Sequence, residues 1–161
     1  MPKAVLVHGI RACDPAKTMG PLATLIKSKG VAVSVADYGY ILAPITNNWA
    51  HEAIKRTAAP GDVLVGYSNG GLAVLDMAAE VQASAVVLLS PAARRDIPAP
   101  VKPCVLYYSP GDWVNEHVGK AYSTVISLMP WRWGTPHGWG RLGADGPEES
   151  VAGDYTVHRW P

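Results

Sequence analysis

The stretch Asp62-Val63-Leu64-Val65-Gly66-Tyr67-Ser68-Asn69-Gly70-Gly71-Leu72-Ala73-Val74-Leu75 decides how this chain is read. Asp62 to Gly66 is a short β-branched, apolar run of the kind buried on both faces of a parallel sheet. Gly70 to Val81 reads as a helix that follows with almost no connecting loop. Between them stands the pattern Gly66-x-Ser68-x-Gly70. Glycine-rich chains produce that pattern by chance, and its place between a strand and a helix is what gives it weight. The flanking glycines allow a sharp turn without steric conflict, so the Ser68 hydroxyl is exposed at a helix N-terminus. Ser68 is the candidate nucleophile.

Outward from this stretch, strands and helices alternate. Lys3 to Val7 is an apolar strand ending at His8-Gly9. Met19 to Lys29 has Leu22, Leu25 and Ile26 at helical spacing, and Gly30 supplies the stop. Val31 to Ala36 is a second strand leading to Asp37-Tyr38-Gly39-Tyr40, and Asn47 to Ala58 is a helix closed by Pro60-Gly61. Ala85 to Leu89 and Cys104 to Tyr108 are further strands, and Val114 to Leu128 carries one apolar stripe. Pro130 to Pro147 is rich in Gly, Pro and Trp and is expected to be mostly loop, with Tyr155-Thr156-Val157 the candidate for a final strand. Regular alternation implies right-handed crossovers and a mostly parallel sheet of about six strands with helices on both faces. The expectation is one α/β domain over residues 1–161.

Composition excludes other classes. The chain has 161 residues, 48% hydrophobic, with 14 Lys plus Arg against 13 Asp plus Glu. A domain of this size buries roughly 70% of its unfolded surface and needs no disulfide or structural metal. A net charge of +1, without basic runs, is not the footprint of a nucleic-acid binder. The apolar runs fall far short of the ~20 residues of a membrane span. The start, Met-Pro-Lys with four apolar residues before His8, lacks a secretory pattern, so a cytoplasmic location is expected. Cys13 and Cys104 are too few and too far apart for a metal box and read as reduced thiols.

A serine hydroxyl needs a base, and the oxyanion it generates needs preorganised donors. The expected donors are the backbone N–H of Asn69 and one N–H from the loop after the first strand, Gly9 or Ile10. The acid is expected after a later strand. Ser109-Pro110-Gly111-Asp112 leaves Asp112 at a strand's carboxyl end, a position that also suits a helix N-cap, and Asp37 is the weaker competitor. The order Ser, Asp, His restricts the base to His117, His137 or His158. His117 falls in a predicted helix close to Asp112 and reads as a surface residue. His158 ends the only plausible last strand and is favoured; His137, 25 residues past Asp112, is the alternative.

These residues resemble the α/β-hydrolase superfamily: Val5-Leu6-Val7-His8-Gly9, then Gly66-Tyr67-Ser68-Asn69-Gly70, then Ser109-Pro110-Gly111-Asp112, then a late His. The resemblance covers nearly the whole chain. More narrowly, the chain looks like the very small hydrolases of bacteriophage genomes, which share a Tyr-Ser-Asn-Gly elbow, a segment like Trp139-Gly140-Arg141-Leu142-Gly143, and a C-terminal His followed by polar and aromatic residues. The resemblance favours His158. It implies a minimal α/β-hydrolase fold whose first strand corresponds to the third of full-sized members. Ser90 to Pro103 is too short for a lid domain, so the site is expected to be open. His8, Tyr38, Tyr67, Trp113 and Trp139 are then the candidate substrate-binding residues.

The expected activity is that of a serine esterase working through an acyl-enzyme intermediate on a small-molecule or polymer-borne ester, with no metal or organic cofactor. Two rivals remain at this level. One is an inactive binding module of the same fold, and the other is an acyltransferase using the same triad.

Overall fold

The computed structural model describes residues 1–10, 14–39, 47–112 and 138–161. Cys13, Tyr40, Trp113, His117, His137 and the stretch Val114 to Leu128 lie outside the described residues.

Six strands, β1 (Ala4–Val7), β2 (Val33–Ala36), β3 (Val63–Tyr67), β4 (Ala85–Leu89), β5 (Cys104–Tyr108) and β6 (Thr156–Arg159), form one sheet in the order β2-β1-β3-β4-β5-β6. Every pairing is parallel. All four β1 residues are buried, which is why that strand reads as an unbroken apolar run. The helices are α1 (Pro15–Ser28), α2 (Asn48–Thr57), α3 (Asn69–Met77), α4 (Leu142–Asp145) and α5 (Glu149–Ala152). The Asp14 carboxylate accepts from the Lys17 N–H at 3.2 Å and caps α1.

Alternation along the strands divides the core between two faces. Val5, Val7, Leu64, Val86, Leu88 and Leu106 face α2 and α3, where Ile54, Leu72 and Leu75 complete the larger core. Ala4, Leu6 and Val65 face α1 through Met19, Leu22 and Ile26.

Several expected bounds shift, among them the start of α1, at Pro15 rather than Met19. Helix α3 ends at Met77 rather than Val81, because the chain continues as turns and Gln82, at φ 55°, reverses it toward β4. The last strand is displaced toward the C-terminus: Tyr155 is buried, its hydroxyl donating to the Ile97 carbonyl at 2.6 Å, and pairing begins at Thr156. Within the glycine-rich stretch, Leu142 to Asp145 forms a helical turn. Leu142 N–H donates to Ala93 O and Gly143 N–H to Pro91 O, both at 2.9 Å, while Arg141 pairs with Asp145.

Candidate active site

The β3–α3 junction is a turn of one residue. Ser68 has φ 52° and ψ −120°, a left-handed conformation that non-glycine residues adopt only at a cost of about 1–3 kcal/mol. The crowding around it explains the glycines. A Cβ on Gly66 would stand 2.6 Å from the Gly70 carbonyl oxygen, and one on Gly70 would stand 2.2 Å from the Val7 carbonyl oxygen. The start of α3 is thus pressed directly on the end of β1. Ser68 is tied down on both sides: its N–H donates to Leu89 O at 3.0 Å, and its carbonyl accepts from Gly71 N–H and from Ala92 N–H, each at 3.0 Å.

The loop after β1 lies against the same residue. A Cβ on Gly9 would be 3.2 Å from Ser68 Cβ and 3.4 Å from the Tyr67 ring. Among the described residues, the N–H groups of Gly9, Ile10 and Asn69 have no backbone acceptor. Gly9 and Asn69 are buried, and buried N–H groups are almost always paired. Of the three, Gly9 packs against Ser68 Cβ and Asn69 follows Ser68 in the chain.

Two residues expected to touch substrate are buried in the structure. His8 is 0% exposed. Its Nδ1 lies 2.7 Å from the Gly9 carbonyl and its Nε2 lies 3.4 Å from the Tyr38 N–H, so both contacts are made by the tautomer protonated on Nδ1. Asp37 Oδ1 also stands 3.4 Å from Nε2. Trp139 is 5% exposed and packs in the larger core, because the Gly138-Trp139-Gly140 segment is pressed onto the loop after β4; a Cβ on Gly140 would meet Arg94 Cα at 2.6 Å. Tyr38 is half-buried, stacks on His8 with ring centroids 4.0 Å apart, and donates its hydroxyl to the His8 carbonyl at 2.6 Å. Burial pushes the Tyr38 hydroxyl up to about 12, with the Asn69 hydrogen bond opposing and the nearby Asp37 charge reinforcing the rise. Tyr67 remains exposed, at 43%, beside Ser68.

Asp112 follows β5 in the expected turn, its N–H donating to Ser109 O at 3.0 Å. His158 lies elsewhere. The paired residues Tyr67, Leu89, Tyr107 and His158 form one row across β3, β4, β5 and β6. Three strand spacings separate the Cα atoms of Tyr67 and His158 by about 14 Å. The exposed His158 ring is stacked on Tyr107 at 4.8 Å between centroids. A general base must come within about 3 Å of the hydroxyl it deprotonates, directly or through one water. His158 thus stands near the end of β6, three places from β3 in the sheet order.

Two other chemical groups are accounted for. His51 Nε2 contacts the Asp76 carboxylate at 3.0 Å, but Asp76 sits eight residues beyond Ser68, about 12 Å down α3. The Cys104 thiol is buried, and that burial pushes it up to about 12, with Asp154 adding to the rise, which suits a packed core thiol rather than a nucleophile. No group of three or more His, Cys, Asp or Glu suited to a metal occurs among the described residues, and no helix among them is long and apolar enough to cross a membrane.

No protein-family model matches the sequence, and neither does any curated protein. In three dimensions the chain is similar to the esterase domain from a Rhodothermus marinus protein, with a TM-score of 0.58 and 15% identity over 98% of this chain and 74% of that one. It is also similar to a protein from Xanthomonas campestris described as a hydrolase of the alpha/beta superfamily, with a TM-score of 0.52 and 18% identity over 89% and 91%. A protein from Pectobacterium atrosepticum described as a yden-like hydrolase gives a TM-score of 0.51 and 21% identity over 70% of this chain. The chain spans 65% of that last protein and 42% of a pyrethroid hydrolase from Sphingobium faniae. The likeness is one of fold. The chain has an α/β-hydrolase fold in a minimal form, with no lid among the described residues.

Proposed function

We propose that this protein is a serine hydrolase acting on esters, with Ser68 as nucleophile. The observation that carries the reading is the strained Ser68 backbone beside N–H groups of Gly9, Ile10 and Asn69 that have no backbone acceptor among the described residues. Ser68 attacks the acyl carbonyl, and Asn69 N–H with Ile10 or Gly9 N–H holds the oxyanion. A histidine takes the serine proton, returns it to the leaving alcohol, and then activates the water that releases the acid.

For that base we propose His137, with Asp112 orienting it. The support comes from its chain neighbour. Gly138 packs near Arg94, and the following residues are bonded to the loop of Pro91 to Ala93, whose Ala92 N–H donates to the Ser68 carbonyl. His137 thus adjoins a segment anchored one loop away from the nucleophile, whereas His158 is held at the sheet edge. Exposed Tyr67 is proposed to contact the acyl or alcohol portion of substrate, and Trp113 stays a candidate for the same role. An open site of this kind, together with the resemblance to small phage hydrolases, suits esters carried on polymers as well as small esters.

The test is labelling with a fluorophosphonate probe alongside hydrolysis of p-nitrophenyl acetate. Wild type should be labelled and turn over, and Ser68→Ala should do neither. An unlabelled, inactive wild type would refute the reading.

A further inference from the structure

We infer that Tyr38 is a positioning residue whose hydroxyl clamps the loop after β1 to the start of α3, fixing the spacing of the N–H donors on the two sides of Ser68. The inference rests on the hydrolase reading of Ser68.

The Tyr38 hydroxyl donates to the His8 carbonyl at 2.6 Å and accepts from Asn69 Nδ2 at 3.3 Å. One oxygen therefore bridges the two segments that carry the candidate donors. The same tyrosine holds the loop in a second way, since its N–H donates to His8 Nε2 at 3.4 Å and the opposite ring nitrogen of His8 donates to the Gly9 carbonyl at 2.7 Å.

Two consecutive carbonyls, those of His8 and Gly9, are thus drawn to the Tyr38 and His8 side chains. In a trans peptide the N–H points opposite to the C=O, so the N–H groups of Gly9 and Ile10 are both turned away from that pair of stacked rings. Gly9 itself lies in contact range of Ser68 Cβ. The arrangement leaves Gly9 and Ile10 N–H available to a ligand and sets their distance from Asn69 N–H. The raised hydroxyl of Tyr38 keeps its proton over the whole neutral range, as a permanent donor requires.

Tyr38→Phe keeps the ring stack and removes only the hydroxyl. It should lower kcat for p-nitrophenyl acetate by about 10- to 100-fold, below the loss for deleting a whole oxyanion donor, while KM stays within about twofold. Affinity for a trifluoromethyl ketone, which forms a tetrahedral adduct on the serine, should fall by the same factor as kcat. Asn69→Ala cuts the other half of the bridge, keeps its backbone N–H, and should move kcat in the same direction by about 3- to 10-fold; it decides the matter if Tyr38→Phe does not fold. A lowered melting temperature with unchanged kcat, or a raised KM with unchanged kcat, would overturn the clamp. If wild type itself neither turns over nor reacts with the fluorophosphonate, the hydrolase reading fails and the clamp falls with it.

Discussion

The carboxyl ends of β1 and β3 form a corner in which His8 and Asn69 are fully buried and joined through Tyr38, whereas the carboxyl ends of β5 and β6 lead to an edge where His158, Arg159 and Trp160 are all exposed. Both regions carry residues of a catalytic type. Their difference lies in lateral position. Central strands bring loops from both neighbours onto Ser68, so polar groups there are forced into fixed partnerships; an edge strand has one neighbour, and among the described residues its histidine is stacked on Tyr107. The corner is built to hold atoms still, and the edge is not.

This contrast can be broken most severely through the acid. Replacing Asp112 by Asn should lower kcat by about 10⁴-fold if it orients the base, with little change in melting temperature. A change of less than tenfold would leave Asp112 with its role as a turn and cap residue. The second effect is on stability. Trp139→Ala should cost about 3–5 kcal/mol in denaturant unfolding, because the side chain is packed in the larger core; a loss of substrate binding at unchanged stability would point to a substrate-binding role instead.

Strain sharpens the comparison further. Glycine adopts the Ser68 conformation without penalty, so Ser68→Gly should abolish labelling yet unfold about 1 kcal/mol later than Ser68→Ala in the same titration. A further effect concerns pH. Tyr38 is raised from 10.0 to about 12 in the folded state, so its share of stability is complete below pH 10 and is lost as pH climbs toward 12. Unfolding measured from pH 9 to 12 should therefore show a steeper decline for wild type than for Tyr38→Phe.

Much of this was legible from residues alone. Ala85 to Leu89 and Cys104 to Tyr108 appear at the expected bounds because a buried parallel strand is an apolar run closed by turn residues. The Ser68 turn was legible because only glycine tolerates the contacts made at positions 66 and 70. The last strand was less so, since all four residues of β6 are exposed and an edge strand writes no apolar pattern. His8 and Trp139 read as substrate-binding candidates because a histidine after a strand and a tryptophan among glycines look alike whether they face solvent or core. Chain order says which histidine comes last, but the number of strands between it and Ser68 is a property of the sheet.

The most direct test of the account compares turnover and fluorophosphonate labelling in His137→Ala and His158→Ala. His137→Ala is expected to lose activity nearly as completely as Ser68→Ala, while His158→Ala stays within about twofold of wild type, since a base contributes at least ~10². Loss of activity in His158→Ala with retention in His137→Ala would contradict it.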